Sequence, residues 1–497
     1  MNESLILAID QGTSSTKSII FDGMGRALAK ATQPLKTHYL QAGFVEQNPE
    51  EIYSNVLESV KLCIENFKAA GGDAEKIRVC GISNQRETFV VWDRNGTPLY
   101  NAVVWQCKRS VEVCKKLVER GLESIIRAKT GLIIDPYFSG TKLIWLYENI
   151  GEVRKAVDEG NAFFGTVDTW LLFKLSNGQK YLSDYTNASR TMFFNLSTLS
   201  WDGELLDFFG LGNLNLPELK PSSSLFGESD FDGLFARPLS ISSMIGDSHS
   251  AAFGEGCFEP GTAKATLGTG CSIVMNVGNH VPQSDKGMIS TICWSTEQRV
   301  DYALEGVIVS CGSTIEWLKN ELGIFSDSKE TEAMATSVES NNGVYLIPAF
   351  SGLGAPYWQM DRKASISGLT FDCNKKHVAR AALESIVYQI KDVLSAMAED
   401  TGISLQELMV NGGITSNKFV MNALSGLLQL PIVNREMADA SALGAAYLAG
   451  LQAGIFRNIE HLQSLANSTK KMVSADNSED LTVCYQTWKA IILGSER

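Results

Sequence analysis

Leu5-Ile6-Leu7-Ala8-Ile9-Asp10-Gln11-Gly12-Thr13-Ser14-Ser15-Thr16-Lys17-Ser18-Ile19-Ile20-Phe21-Asp22 is the stretch whose reading decides the fold. It reads as an apolar strand, a tight turn carrying one carboxylate and several hydroxyls, and a second apolar strand. Gly12 lets the backbone turn sharply and approach a ligand closely. Hydroxyls and free N–H groups in such a turn can wrap an anion. Asp10 would repel a bare anion, so its place makes sense when a divalent cation sits between it and a phosphate. The same residue types also suit an ordinary polar hairpin turn.

Roughly 255 residues later, Gly261-Thr262-Ala263-Lys264-Ala265-Thr266-Leu267-Gly268-Thr269-Gly270-Cys271-Ser272-Ile273-Val274-Met275-Asn276 repeats the design of strand, Gly/Thr turn and strand. Two such hairpins suggest an internally duplicated fold with one phosphate turn in each half. Two unrelated hairpins would read the same way. Strands and helices alternate between and beyond them, which predicts an α/β protein. Asn48-Pro49-Glu50-Glu51 starts a helix, with a side-chain cap, a proline in the first turn and acids at the positive end. Strands are expected at 77–82, 88–92, 102–105, 344–348 and 408–413. Helices are expected at 314–322, 377–399, 417–428 and 440–451. The Pro-, Gly- and Ser-rich segment around 210–240 reads as surface loop.

At 497 residues the chain exceeds one ordinary domain. Two halves are expected, 1–251 and 252–497. The net charge of −13 argues against non-specific binding to nucleic acid or anionic membranes. No apolar run approaches the ~20 residues that span a bilayer, so no membrane insertion is expected. Met1-Asn2-Glu3-Ser4 has no basic region and no cleavage site, and is not expected to be a signal peptide. The ten cysteines are scattered, without a Cys-x-x-Cys pair. They read as reduced thiols of a cytoplasmic protein.

The chain has no Gly-Lys dipeptide, no Gly-x-Gly-x-x-Gly and no His-Glu-x-x-His. Phosphate handling must then rest on the Gly/Thr turns. Phosphoryl transfer to an alcohol needs donors around the phosphates, Mg²⁺ on a carboxylate, and a base beside the hydroxyl. Asp10, Thr13 and Ser14 can supply the first turn, and Thr269 the second. Gly412-Gly413 at a strand end can admit a nucleotide's α-phosphate and ribose. Asp247, closing its own strand, is the natural base, though an Asp there also suits a helix cap. Arg86, Glu87, Trp105 and Tyr137 offer hydrogen bonds and aromatic walls for a polyol.

Asp10-Gln11-Gly12-Thr13, Asn84-Gln85-Arg86-Glu87-Thr88, Val104-Trp105-Gln106-Cys107, Ile134 to Lys142, Asp184-Tyr185-Thr186-Asn187-Ala188-Ser189-Arg190-Thr191-Met192, Tyr302-Ala303-Leu304-Glu305-Gly306 and Pro348 to Trp358 together resemble the FGGY carbohydrate kinases. Within that family they are nearest to the glycerol kinase branch. The resemblance runs from about residue 5 to about 456, with family signatures at 137–149 and 364–384. It implies two ribonuclease H-like domains of the actin/hexokinase type, with ATP and substrate in the cleft between them. It further implies Mg²⁺, ATP-dependent phosphorylation of glycerol to sn-glycerol 3-phosphate, a cytoplasmic location and a homo-oligomer, dimer or tetramer.

By position, Asp247 resembles the catalytic base. Arg86, Glu87, Trp105, Tyr137, Asp247 and Ser248 resemble the polyol site. Asp10 resembles the metal carboxylate. Thr13, Ser14, Ser15, Lys17, Thr269, Gly312, Glu316, Gly413 and Asn417 resemble the phosphate and nucleotide contacts. The chain departs from the family at four of its positions. Ser248 stands where a Gln is usual, Ser272 where an aromatic is usual, Lys17 for an Arg and Glu316 for a Gln. Small residues at 248 and 272 enlarge the acceptor pocket, which keeps open a larger polyol or ketose, such as a tetritol. The Gly-rich loop that binds fructose 1,6-bisphosphate in some members has no match at 228–240, so that regulation is not expected.

Overall fold

The computed structural model describes all residues except 1–3, 41–42, 360, 436–438, 468–471, 474–478 and 495–497. The N-terminal residues Met1-Asn2-Glu3 therefore lie outside the described part.

Two sheets of like design carry the molecule. The first contains β1 (Leu5–Gln11), β2 (Ser15–Phe21), β3 (Ala27–Pro34), β4 (Ile77–Asn84), β5 (Ser223–Ser229) and β6 (Leu239–Gly246). Its order is β5-β6-β4-β1-β2-β3. The second contains β7 (Thr262–Leu267), β8 (Cys271–Gly278), β9 (Ile289–Ser295), β10 (Val300–Ile308), β11 (Glu407–Asn411), β12 (Ile432–Asn434) and β13 (Met472–Val473), in the order β9-β10-β8-β7-β11-β12-β13. In each half an antiparallel hairpin, β1–β2 or β7–β8, is extended on its first strand by two parallel strands. The duplication read from the two Gly/Thr turns is thus a duplication of sheet topology.

Alternation within β1 shows how the halves are joined. Leu5, Leu7 and Ile9 pack with Ile52, Val56 and Val60 of the helix Pro49–Ala69. Ile6 and Ala8 face the other way, against Ala442, Ala445 and Ala449 of the helix Ala440–Gln452. Period-two burial therefore places a helix from the far end of the chain on the first sheet. Its small residues let it come close. A Cβ at Gly81 would lie 2.3 Å from the carbonyl oxygen of Ala445, so only glycine fits. The helix Pro49–Ala69 begins as expected, with Asn48 Oδ1 accepting from the N–H of Glu50 at 2.8 Å.

The segment expected as loop around 210–240 is corrected by the structure: it contributes β5, an edge strand antiparallel to β6. Its serines are buried because distant groups satisfy them. Ser223 Oγ donates to the carbonyl of Leu448 at 2.9 Å, and Ser222 Oγ to Asp184 at 2.7 Å. The strand expected at 102–105 is shorter, Ala102–Val103, and leaves Trp105 in a turn. The division expected after 251 falls inside the helix Asp247–Gly254. All ten cysteines are free. Among the described residues no helix is long and apolar enough to cross a membrane.

Candidate active site

The two Gly/Thr turns sit at corresponding corners of the two sheets. In the first, Gly12 N–H donates to Ser15 O at 2.9 Å, and Gln47 Nε2 donates to Thr13 O at 2.7 Å. Ser14 is exposed, and Thr13, Ser15 and Lys17 are half-buried. Asp10 closes β1 beside this turn. Ser83 Oγ donates to its carboxylate at 3.2 Å, and Lys17 Nζ lies 3.9 Å away. Burial pushes the Asp10 carboxyl up to about 6; Lys17 opposes the shift, and Asp247 adds to it. A desolvated carboxylate with one hydroxyl donor and one distant ammonium suits a hard divalent cation. Lys17 also reaches Asp439 at 3.5 Å, which pairs with Lys30 at 2.7 Å.

In the second turn Gly268 N–H donates to Gly270 O at 2.9 Å. The start of the helix Gly312–Asn320 is fastened to it: Gly312 N–H donates to Gly268 O, and Cys311 and Ser313 N–H donate to Thr269 O. Gly412, with φ +99°, passes so close to Leu267 that a Cβ would lie 2.3 Å from that residue's carbonyl oxygen. Gly413 is exposed at the start of the 3₁₀ turn Gly413–Ser416. Asn417 caps the helix Lys418–Leu428, accepting from Val420 N–H at 3.2 Å, and donates to Thr331 Oγ1 at 3.2 Å. Glu316 is exposed and bound by Lys319 at 2.9 Å and Ser328 at 3.1 Å, which hold its carboxyl below the usual range.

Asp247 opens the helix Asp247–Gly254 directly after β6. Its Oδ1 accepts from Ser248 N–H at 2.6 Å and lies 3.4 Å from Arg86 Nε. Arg86 Nη2 approaches the Tyr137 hydroxyl at 3.5 Å. Trp105 stands edge-on to Tyr137, with centroids 5.7 Å apart, and its Nε1 donates to Thr13 Oγ1 at 2.9 Å. That last bond joins the aromatic wall to the first Gly/Thr turn. Arg86, Trp105, Tyr137 and Asp247 thus come together as expected. Glu87 is different. Its carboxylate is buried and turned to Arg190, whose Nε donates to Oε1 at 2.5 Å.

Arg190 and Glu305 belong to the sequence motifs but have no role that the sequence assigns. Glu305, on β10, accepts from Arg86 at 2.9 and 3.1 Å and from Ser272 Oγ at 3.3 Å, and lies 2.7 Å from Arg190 Nη1. Two guanidinium and two carboxylate groups therefore form one buried cluster that ties the second sheet to the Arg86–Trp105–Tyr137 wall. The two arginines hold the Glu305 carboxyl far below the usual range, against the opposing effect of burial. The available signal was a charge inside an apolar strand. Ser272 is spent on this cluster, as part of its wall.

Two further buried groups support the site. Lys142, fully buried, donates to the carbonyls of Pro136 at 2.8 Å and Tyr137 at 2.6 Å. Burial pushes its ammonium down to about 7. Between there and the ordinary 10.5 the unfolded chain keeps a proton that the folded chain has released. Stability from this group therefore rises with pH through that window. Lys142→Met removes both donors and the titration. The acceptor KM is expected to rise about tenfold, the loss of roughly one net hydrogen bond's positioning. The wild-type advantage in urea unfolding is expected to be larger at pH 9.5 than at pH 7. An advantage that does not change with pH would contradict the assignment. The second group is the buried pair Asp168 and Asp184. Burial and the neighbouring Asp184 charge push the Asp168 carboxyl up to about 7, and Asp184 faces several donors.

Residues 5–254 match the N-terminal domain of the FGGY family of carbohydrate kinases, and residues 263–453 match its C-terminal domain. The chain is 44% identical over 488 residues to a glycerol kinase of Thermoanaerobacter sp. (strain X514), covering 98% of this chain and 97% of that protein. It is 44% identical over 491 residues to a glycerol kinase of Bacillus velezensis, covering 99% and 98%. The crystal structure of Plasmodium falciparum glycerol kinase with ADP superposes with a TM-score of 0.93 at 33% identity, over 100% of this chain and 99% of that one. A gluconate kinase from Lactobacillus acidophilus, 21% identical, shares the fold with a TM-score of 0.87. With both domains matched in order over nearly the whole chain, the protein belongs to the FGGY family of carbohydrate kinases.

Proposed function

We propose that the chain transfers the γ-phosphoryl group of ATP to a terminal hydroxyl of glycerol, giving sn-glycerol 3-phosphate and ADP. The observation that carries this reading is Asp247. It lies at a strand end in the cleft, with the Arg86–Trp105–Tyr137 wall beside it, and the near full-length relatives are named glycerol kinases. Arg86 donates to an acceptor hydroxyl, and the Trp105 and Tyr137 faces cover the C–H side of the carbons. Asp247 takes the hydroxyl proton as the acceptor oxygen bonds to phosphorus and the bond to the β-phosphate oxygen breaks. Thr13, Ser14, Ser15, Lys17 and Thr269 offer donors to the phosphates. Gly312, Gly413 and Asn417 border the nucleotide. Mg²⁺, held by Asp10 and the phosphate oxygens, would neutralise charge on the transferred group. The location in this reading is the cytoplasm, and the assembly a homo-oligomer.

Ser248 and Ser272 are small residues beside the acceptor site, so the discriminating experiment is an ADP-release assay across glycerol, tetritols and ketoses. Glycerol is expected to give the highest kcat/KM. Turnover of a tetritol without turnover of glycerol would overturn the reading.

A further inference from the structure

One buried turn of chain grips both strand ends that carry the acceptor chemistry. The strand Leu182–Asp184 leads into the short helix Tyr185–Ala188, with Asp184 as its cap. The Asp184 carboxylate accepts from Thr186 N–H at 2.9 Å, Thr186 Oγ1 at 2.8 Å, Asn187 N–H at 2.9 Å, Asn187 Nδ2 at 2.8 Å and Ser222 Oγ at 2.7 Å. Thr186 and Asn187 are fully buried. Each then reaches a different strand end. Thr186 Oγ1 accepts from Gly246 N–H at 2.9 Å, the residue immediately before Asp247. Asn187 and Asn84 exchange amide hydrogen bonds at 2.9 and 3.1 Å, two residues before Arg86. The chain continues to Arg190, which holds Glu87 and Glu305.

The polarity of this relay is fixed. A backbone N–H can only donate, so Thr186 Oγ1 accepts from Gly246 and spends its single proton on Asp184. The Gly246 backbone runs close against Arg86: a Cβ there would lie 2.7 Å from Arg86 Cγ. On the other side, Ser441 Oγ donates to Asp247 O at 3.1 Å.

We propose that Thr186, oriented by Asp184, is a positioning residue for Asp247: it fixes the backbone from which the base reaches the acceptor hydroxyl. This rests on the reading of Asp247 as the base, and the test separates the two. Thr186→Val keeps the shape and removes both hydrogen bonds. With the full chain, kcat for glycerol is expected to fall about 30- to 100-fold, the scale of a small misplacement of a reacting group. KM values for ATP and glycerol are expected to stay within about threefold, because the binding contacts remain. Amide exchange at Gly246 is expected to quicken about tenfold with the lost hydrogen bond. Thr186→Ser, which restores the hydroxyl, is expected to recover both readouts. If Thr186→Val does not fold, Thr186→Cys, with its weaker acceptor, is read in the same way. Unchanged kcat and Gly246 exchange in the folded variant would overturn the proposal. So would a lowered melting temperature without a change in kcat per folded chain. A wild-type chain inactive on glycerol would overturn the function reading instead, while Gly246 exchange would still decide the relay.

Discussion

Asp247→Asn is expected to lower kcat about a thousandfold, within the 10²- to 10⁴-fold that general acid–base catalysis typically contributes. KM for ATP and the unfolding midpoint are expected to change little. The side chain opens the helix Asp247–Gly254 at a strand end, is 35% exposed in the cleft and lies 3.4 Å from Arg86 Nε. Asparagine has the same size and can still accept from Ser248 N–H, so the local fold has no reason to change. It loses the carboxylate charge beside Arg86 and, with it, the capacity to take the acceptor proton. In a loose phosphoryl-transfer transition state that proton moves late, so the loss falls on the chemical step. Steady-state kinetics with glycerol, beside a melting curve, makes the measurement. A variant retaining more than about a tenth of kcat would remove Asp247 from the role of base, since positioning and charge stabilisation would then carry the rate.

How much of this was legible in the sequence depends on the distance between partners. The β1–β2 hairpin could be read because strand, turn and strand are contiguous and each signal is local. The helix Pro49–Ala69 could be read for the same reason, its cap lying within three residues of the groups it satisfies. The edge strand Ser223–Ser229 could not. Its first serine, Ser223, looks like loop until Leu448 accepts from it, and the preceding Ser222 until Asp184 does, both far along the chain. The same separation hid Glu305. It sits in an apolar strand, and its partners Arg86 and Arg190 are 219 and 115 residues earlier in the numbering. Glu87 adjoins Arg86 in sequence, and what local reading could not give is its partner: from left-handed backbone at φ +60° its carboxylate meets Arg190, 103 residues later. Periodicity gives each strand's faces, and says nothing about which distant charge meets them.

Glu305→Gln is expected to give the largest loss of stability of any conservative change in the cleft. Arg86, Glu87, Arg190 and Glu305 are all buried, and their four charges sum to zero. Neutralising one carboxylate leaves an uncompensated buried guanidinium, which costs about 3–5 kcal/mol. Glutamine also turns an N–H₂ toward donors already present on Arg86 or Arg190. At about 2–4 °C per kcal/mol for a domain of this size, the melting temperature of the variant is expected to fall on the order of 10 °C. The pH dependence has a definite sign. Glu305 is held far below its ordinary 4.5 in the folded chain, so its contribution is complete above that value. It is lost as pH falls, when the unfolded chain takes up a proton that the folded chain refuses. The gap between wild type and variant in urea unfolding is therefore expected to be full at pH 7 and to narrow below pH 4.5. Because Glu305 belongs to the second sheet and Arg86 to the acceptor wall, the acceptor KM is also expected to rise in any folded fraction. A variant as stable as wild type at pH 7 would mean that Glu87 and Asp247 suffice to compensate the two arginines.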